Sequence, residues 1–230
     1  MFKRKYHLNE TIFEKINNEE KSYWLGFFAA DGSITENKIR LCLSEKDYNH
    51  LMKWKKFTEW EGKDYYHKDT KAWEVYFRST KVKEDLKKFT ITERKTYTLR
   101  FLPHLIPSEL LSHFVRGYFD ADGCITKQTR KVVRPSGKTY TYDGGEFSIE
   151  ANENVAFNMQ KYVFIDILGL PETSIKYNHS IHRIRYGGID QLLKIYNYLY
   201  TNSHIYLERK KIIFEQILLH RERLNERTLL

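Results

Sequence analysis

The chain has only two cysteines, Cys42 and Cys124, far apart and in no C-x-x-C spacing. That excludes a disulfide framework and a zinc knuckle, and leads to the expectation of reduced thiols in an intracellular, cytoplasmic setting, a bacterial or phage-infected cell before an organelle. With 4 prolines and 11 glycines among 230 residues, the composition is not that of a low-complexity or collagen-like chain. No window approaches the roughly 18 consecutive apolar residues of a spanning helix, so no membrane partner is expected. The basic start at Met1 to His7 runs into Asn9, Glu10 and Thr11, which is not the apolar core of a secretory signal. The ends also lack splicing residues, such as a terminal His-Asn pair, so the expectation is a free-standing protein. What is present is large apolar side chains, 41% hydrophobic and 15% aromatic, enough for a packed core. Lysine and arginine number 39 against 30 acids, a net charge of +9 that favours a polyanionic partner.

The chain repeats itself. Gly26, Ala30, Asp31 and Gly32 recur at one constant spacing as Gly117, Ala121, Asp122 and Gly123, each within an apolar run. Leu41-Cys-Leu-Ser-Glu-Lys-Asp is echoed by Phe147-Ser-Ile-Glu-Ala-Asn-Glu at a longer spacing, which places an insertion near residues 130–141. Glu93-Arg94-Lys95 is echoed by Glu208-Arg209-Lys210. Three echoes in one order argue for two copies of a single unit, 1–102 and 103–230.

Each copy opens with a helix that delivers an acid to its end. Asn17 with Glu20 is the expected cap of the first and Ser108 that of the second, and Gly32 and Gly123 are the expected stops. Both helices are apolar nearly all round, so they must be buried on most faces. Gly26 with Ala29 and Ala30, and Gly117 with Ala121, would let two backbones approach, and the two helices are expected to pack on each other. Period-two runs at 38–44, 72–78, 145–149 and 181–186 predict strands, with a hairpin tip at 135–138. Helical patterns at 48–60, 81–89, 155–168, 189–200 and 207–224 complete an order of helix, two strands, helix, two strands, helix. Residues 90–106, with Pro103 ahead of Pro107, read as the connection between copies. The aromatic clusters at Tyr65-Tyr66 and 196–200 are expected in the core.

Gly-Phe-Phe-Ala-Ala-Asp-Gly, ending at Gly32, and Gly-Tyr-Phe-Asp-Ala-Asp-Gly, ending at Gly123, resemble the signature of the LAGLIDADG (dodecapeptide) homing endonucleases. The motifs fall at 24–32 and 115–123, and the resemblance extends over nearly the whole chain. It implies a mixed α/β fold of two pseudo-symmetric αββαββα units with the motif helices packed at their interface and a saddle-shaped sheet surface on DNA. Two motifs in one chain resemble the monomeric type. The implied activity is a metal-dependent double-strand break at a long, specific site, leaving 5′-phosphate and 3′-hydroxyl ends and serving intron or intein mobility. The alternatives are an RNA maturase assisting intron splicing, with intron RNA as partner, and a DNA-binding regulator that no longer cuts.

The chemistry fits the residues. Cutting two strands needs two phosphates served by metal-activated water, and two packed helix ends would bring Asp31 and Asp122 together. A carboxylate at a helix C-terminus meets the negative end of the dipole, a cost that Mg²⁺ would relieve, with Mn²⁺ as substitute. A lone Asp-Gly is commonly just a helix-ending turn; the pair is not so easily dismissed. The resemblance assigns metal binding to Asp31 and Asp122, with Ala30 and Ala121 before them. The earlier acid is Asp120 in the second copy and Ala29 in the first. The resemblance also implies one active-site lysine per copy: Lys95, and Lys210 or its neighbour Lys211. A polar residue after the second strand, Ser44 or Glu45 against Glu150 or Ala151, is left open.

For DNA contact the strand faces offer Ser33, Thr35, Lys38, Arg40, Tyr76 and Arg78 in the first copy. The second offers Thr126, Gln128, Arg130, Arg183 and Arg185, with Arg134 and Lys138 on the inserted hairpin. His179-Ser-Ile-His182 lacks the acid and spacing of a zinc protease site, and no P-loop, nucleophile elbow or dinucleotide fingerprint occurs.

Overall fold

A computed structural model describes residues 5–133, 135–178 and 181–228. The chain divides into two compact units, Met1–Ala121 and Asp122–Leu230. The first carries α1 (Glu19–Asp31), β1 (Ser33–Thr35), β2 (Lys38–Ser44), α2 (Tyr48–Phe57), β3 (Asp64–His67), β4 (Ala72–Arg78), α3 (Thr80–Lys88), α4 (Lys95–Thr98) and nearly all of α5 (Leu111–Asp122). The second carries β5 (Gly123–Val133), β6 (Thr139–Ala151), α6 (Glu153–Met159), β7 (Lys176–Asn178), β8 (Ile181–Tyr186), α7 (Ile189–Tyr200) and α8 (Glu208–Thr228). The mixed α/β architecture of two repeated units is the one expected. Each unit holds a four-stranded antiparallel sheet, ordered β1-β2-β4-β3 and β5-β6-β8-β7.

Two helix starts differ from expectation. The cap of α1 is Asn18, not Asn17: its side chain accepts from the Lys21 amide at 2.9 Å, and Glu19 and Glu20 lie at the positive end of the dipole. Ser108 caps nothing, because the chain enters α5 through a 3₁₀ turn, Ser108–Leu110, and the Ser108 hydroxyl turns to Glu109. The helix expected over 155–168 is α-helical only as far as Met159 and continues in π-helical form over Gln160–Ile167. Residues 90–106 hold only the short α4 and a 3₁₀ turn at Pro103–Leu105, as proline there requires.

Helices α1 and α5 pack on each other within the first unit. A Cβ on Gly26 would lie 2.0 Å from the Phe114 carbonyl oxygen, and one on Gly117 would lie 2.0 Å from that of Tyr23. Only hydrogen fits at either position, so the two glycines set how closely the backbones approach. This packing draws α5 into the first unit, and the compact division falls at the end of the second motif instead of before it. Gly32 stops α1 for a steric reason: its φ of −65° suits any residue, but a Cβ would meet the Phe28 ring at 2.4 Å.

The packed face is also bolted by polar groups. Arg116, fully buried, reaches Glu19 at 2.7 Å and His113 Nδ1 at 2.8 Å. The Tyr23 hydroxyl donates to Asp120 Oδ2 at 2.8 Å, leaving its oxygen to accept from Nε2 of buried His50 at the same distance. Around them Trp24, Phe28, Trp54 and Phe77 form an aromatic core against β2 and β4. In the second unit Phe147, Phe164, Tyr186 and Phe214 play that part beneath β6 and β8.

Candidate functional site

Asp31 and Asp122 are the last residues of α1 and α5, and both are exposed. Each therefore stands where helix carbonyls point outward without helical partners and the dipole is negative. A lysine comes to each end. The Lys95 amino group, at the start of α4, donates to the carbonyls of Ala29 at 2.8 Å and Ala30, and reaches that of Phe28 at 3.5 Å. Lys210, in the first turn of α8 and only 4% exposed, donates to the Gly123 carbonyl at 2.5 Å. Each unit thus brings its own acid and lysine to one helix end. Lys211 turns elsewhere: its ammonium lies 4.1 Å from the Tyr206 ring centroid and 3.8 Å from Glu215.

Ala30 and Ala121 have no ligating side chain, so either could hold a metal only through its backbone oxygen, and that of Ala30 already accepts from Lys95. Asp120 is buried and bonded to Tyr23, which removes it from the exposed helix end; Ala29 at the corresponding place is buried too. Of the polar residues left open after the second strand, Glu45 accepts from the Tyr66 hydroxyl at 3.2 Å, and Glu150 pairs with Arg183.

All six contact residues predicted for the first copy lie in two cross-strand rows on one sheet face. Ser33, Arg40 and Tyr76 make one row, and Thr35, Lys38 and Arg78 the other. The opposite face, with Ile39, Leu41, Val75 and Phe77, is core. An acid also sits within this face. Glu74, 4% exposed, accepts from Lys38 at 2.9 Å and from His67 at 2.9 Å, and Arg40 Nε lies 2.9 Å away. Burial pushes its carboxyl up, but hydrogen bonds from Lys38 and His67 with the charge of Arg40 outweigh that and hold it below its ordinary value. Period two could have revealed Glu74, which alternates in step with Tyr76 and Arg78 along β4.

Tyr65 also differs from expectation. It is 42% exposed, outside the core, and stacks on Tyr76 with centroids 5.2 Å apart, while the Lys38 ammonium lies 3.8 Å above the Tyr76 ring. Tyr66 is exposed as well, whereas Tyr200 is in the core as expected. In the second unit Thr126 pairs with Glu146 and Gln128 with Gly144; Arg183 is held by Glu150, and Arg185 by Glu146 at 2.5 Å. Lys138 is exposed beside β6. Arg130 lies on β5 with its side chain outside the described set, and Arg134 and His179 lie outside the described residues.

This arrangement can be compared with known proteins. The chain matches the structure of I-LtrWI, solved as a LAGLIDADG homing endonuclease bound to its target DNA, with a TM-score of 0.63 over 94% of this chain and 92% of that one at 12% identity. It matches I-SmaMI bound to cleaved DNA with a TM-score of 0.62 over 92% of each chain at 14% identity, and the same protein bound to uncleaved DNA with calcium with a TM-score of 0.61 over 91% of this chain and 93% of that one at 13% identity. The fold is that of the LAGLIDADG homing endonucleases. Sequence comparison reaches less far, since no family model matches. The replication factor C small subunit of Methanocaldococcus jannaschii is 29% identical over 121 residues, half of this chain but 6% of that protein. The chain thus spans a small part of this curated relative. Among the described residues, no helix is long and apolar enough to cross a membrane.

Proposed function

We propose that the protein is a site-specific DNA endonuclease that makes a double-strand break in a long duplex target. One observation carries this reading: each motif helix ends in an exposed acid, Asp31 or Asp122, and a lysine ammonium is bonded to backbone carbonyls beside it, Lys95 at Ala29 and Ala30 and Lys210 at Gly123. A turn that merely ends a helix needs neither the acid nor a lysine drawn in from a distant element.

The donor set suits a hard divalent cation. Asp31 and Asp122 offer carboxylate oxygens at negative helix ends, with no sulfur or imidazole beside them in the proposed set, which fits Mg²⁺, with Mn²⁺ as substitute. Such an ion supplies Lewis-acid chemistry at the scissile phosphate. Asp31 would hold it in the first unit and Asp122 in the second. Lys95, fixed by carbonyls of α1, and Lys210, fixed by the Gly123 carbonyl at the start of β5, keep a positive charge where negative charge grows on the phosphate in the transition state. The buried Tyr23–Asp120 and Arg116–Glu19 contacts hold α1 and α5 rigid, which keeps the acids from drifting. The sheet faces read duplex DNA through Ser33, Thr35, Lys38, Arg40, Tyr76, Arg78, Thr126, Gln128, Arg183 and Arg185, with Lys138 adding a phosphate contact.

The protein acts as a monomer inside the cell, leaves 5′-phosphate and 3′-hydroxyl ends, and promotes the mobility of its own coding element. The test is selection of cleaved targets from a randomised duplex library with Mg²⁺, beside Asp31→Asn and Asp122→Asn proteins. The expected result is cleavage that both variants lose while binding survives. Tight, salt-sensitive binding with no cut by the unaltered protein would overturn the nuclease reading in favour of a maturase or regulator.

A further inference from the structure

The outer face of the first sheet carries a donor set unlike the one at the helix ends. Cys42 on β2, Glu74 on β4 and His67 on β3 each project one ligand atom into the same space, and these atoms all lie within 4.8 Å of one another. The sheet register explains the convergence. Cys42 pairs directly with Glu74 across β2 and β4, and His67, paired with Ala72, is the diagonal neighbour of Glu74 on the other side. Three adjacent strands therefore contribute one ligand each, and the rigidity of the ladder fixes their spacing before any ion arrives.

We propose that Cys42, His67 and Glu74 form a binding site for a thiophilic divalent cation of the zinc class, separate from the oxygen donors of Asp31 and Asp122. The chemistry of the set excludes the hard ions: a thiolate and an imidazole favour Zn²⁺, Co²⁺ or Cu²⁺, not Mg²⁺ or Ca²⁺. The geometry suits a tetrahedral ion. His67 Nε2 and Glu74 Oε2 are now 2.9 Å apart, joined by one proton. A tetrahedral ion with bonds of about 2.1 Å to nitrogen and oxygen needs them about 3.4 Å apart, roughly half an ångström wider. The ion takes the place of that proton, and Cys42 gives up its own proton to bind as thiolate. Cys42 is half-buried and unoxidised, and His67 is exposed, which leaves an entry path and a fourth position for water.

The surroundings also hold the carboxylate for the task. Lys38 donates to Oε1 at 2.9 Å, so the second oxygen can turn to a metal while the first stays anchored. Arg40 lies against that second oxygen. Its positive charge works against an ion bound by charge alone, and the site therefore selects for an ion held by the strong bonds of sulfur and nitrogen. The second unit has no counterpart: Glu150 stands where Cys42 does on the paired strand, Arg183 stands opposite it in place of Glu74, and Asn178 takes the place of His67.

The experiment is a Co²⁺ titration of the whole reduced protein, read by absorption, with Zn²⁺ as competitor and thermal unfolding as second readout. The expected result is one equivalent of Co²⁺ with a thiolate-to-metal band in the near ultraviolet and tetrahedral bands in the visible, lost on adding Zn²⁺. Cys42→Ser should abolish the thiolate band, His67→Gln and Glu74→Gln should weaken binding at least about tenfold, and Cys124→Ser should change nothing. Zn²⁺ should raise the melting temperature of the parent and not of Cys42→Ser, whose far-ultraviolet circular dichroism reports whether it is folded. No thiolate band in the parent, or a band that survives Cys42→Ser, overturns the site. Neither result depends on DNA cleavage, so the nuclease reading stands or falls separately.

Discussion

In the first unit Arg40 on β2 lies 2.9 Å from Glu74 on β4. In the second, Arg183 on β8 occupies the place of Glu74 and forms an ion pair with Glu150 on β6. The equivalence follows from register: Ser33, just past the first motif, pairs with Arg40, and Cys124, just past the second, with Ser148, so that two steps on the pair Cys42–Glu74 corresponds to Glu150–Arg183. An acid held by a cation of the neighbouring strand is thus replaced by a cation held by an acid. Two lessons follow. The backbone frame of a repeated unit constrains where a pair can form but not which strand carries the cation. A nuclease of the proposed kind, facing an asymmetric duplex, gains from that freedom, because the arginine is presented from a different strand in each half. The halves differ in burial as well. Glu74 has Lys38 and His67 besides Arg40 and is almost wholly covered, whereas Glu150 and Arg183 are both more open.

The comparison is broken or sharpened most strongly at the helix ends. Asp31→Asn and Asp122→Asn are each expected to lower strand cleavage at least about 100-fold, read on supercoiled plasmid carrying the selected target. Equal losses would make the two halves chemically equivalent; loss from only one would make cleavage the property of a single half. Next come the glycines. Gly26→Ala and Gly117→Ala each set a methyl against backbone that cannot yield, and about 3 kcal/mol of destabilisation is expected from each. That corresponds to a fall in melting temperature of about 6–12 °C by calorimetry. A marked difference between the two would show that the helix contact is not symmetric in energy.

The carboxylates of the sheet faces come third. Glu74→Gln should destabilise by about 1–3 kcal/mol, since it withdraws a buried charge from its partners, and more than Glu150→Gln. Because the folded Glu74 carboxyl lies below its ordinary value of 4.5, its stabilisation is fully present above that pH and is lost as the pH falls through the folded value. Chemical denaturation of Glu74→Gln should therefore give a shallower acid limb below pH 4.5 than the parent protein. A parent and variant with superimposed acid limbs would remove Glu74 from the electrostatic account. The smallest effect is at the helix starts. Asn18→Ala should cost about 1 kcal/mol, and Ser108→Ala about 0.3 kcal/mol or less, since only the first side chain caps.

Much of this was legible in the residues. Helix–helix packing was readable because glycine and alanine inside an all-round apolar helix have few other uses, and the strands because period two is strict along β2 and β4. The two motif acids stood out through repetition, and Lys95 and Lys210 through their shared Glu-Arg-Lys context. Other features were not legible. Asn17 and Asn18 are chemically identical candidates for a cap, and the choice depends on which has extended backbone. Tyr65 has the composition of a core residue but lies on the outer face of β3, a matter of register that one edge strand cannot disclose.

By itself the sequence determined the repeat, the two buried helices with an acid at each end, and the alternating faces of the sheets, because each is a local pattern of side-chain size and polarity. Only the tertiary structure decided which groups meet. It brought Lys95 and Lys210 to the motif ends, spent Asp120 on Tyr23, and gathered Cys42, His67 and Glu74 from three strands. Such meetings depend on strand pairing and helix docking between residues distant in the chain, and no local periodicity encodes them.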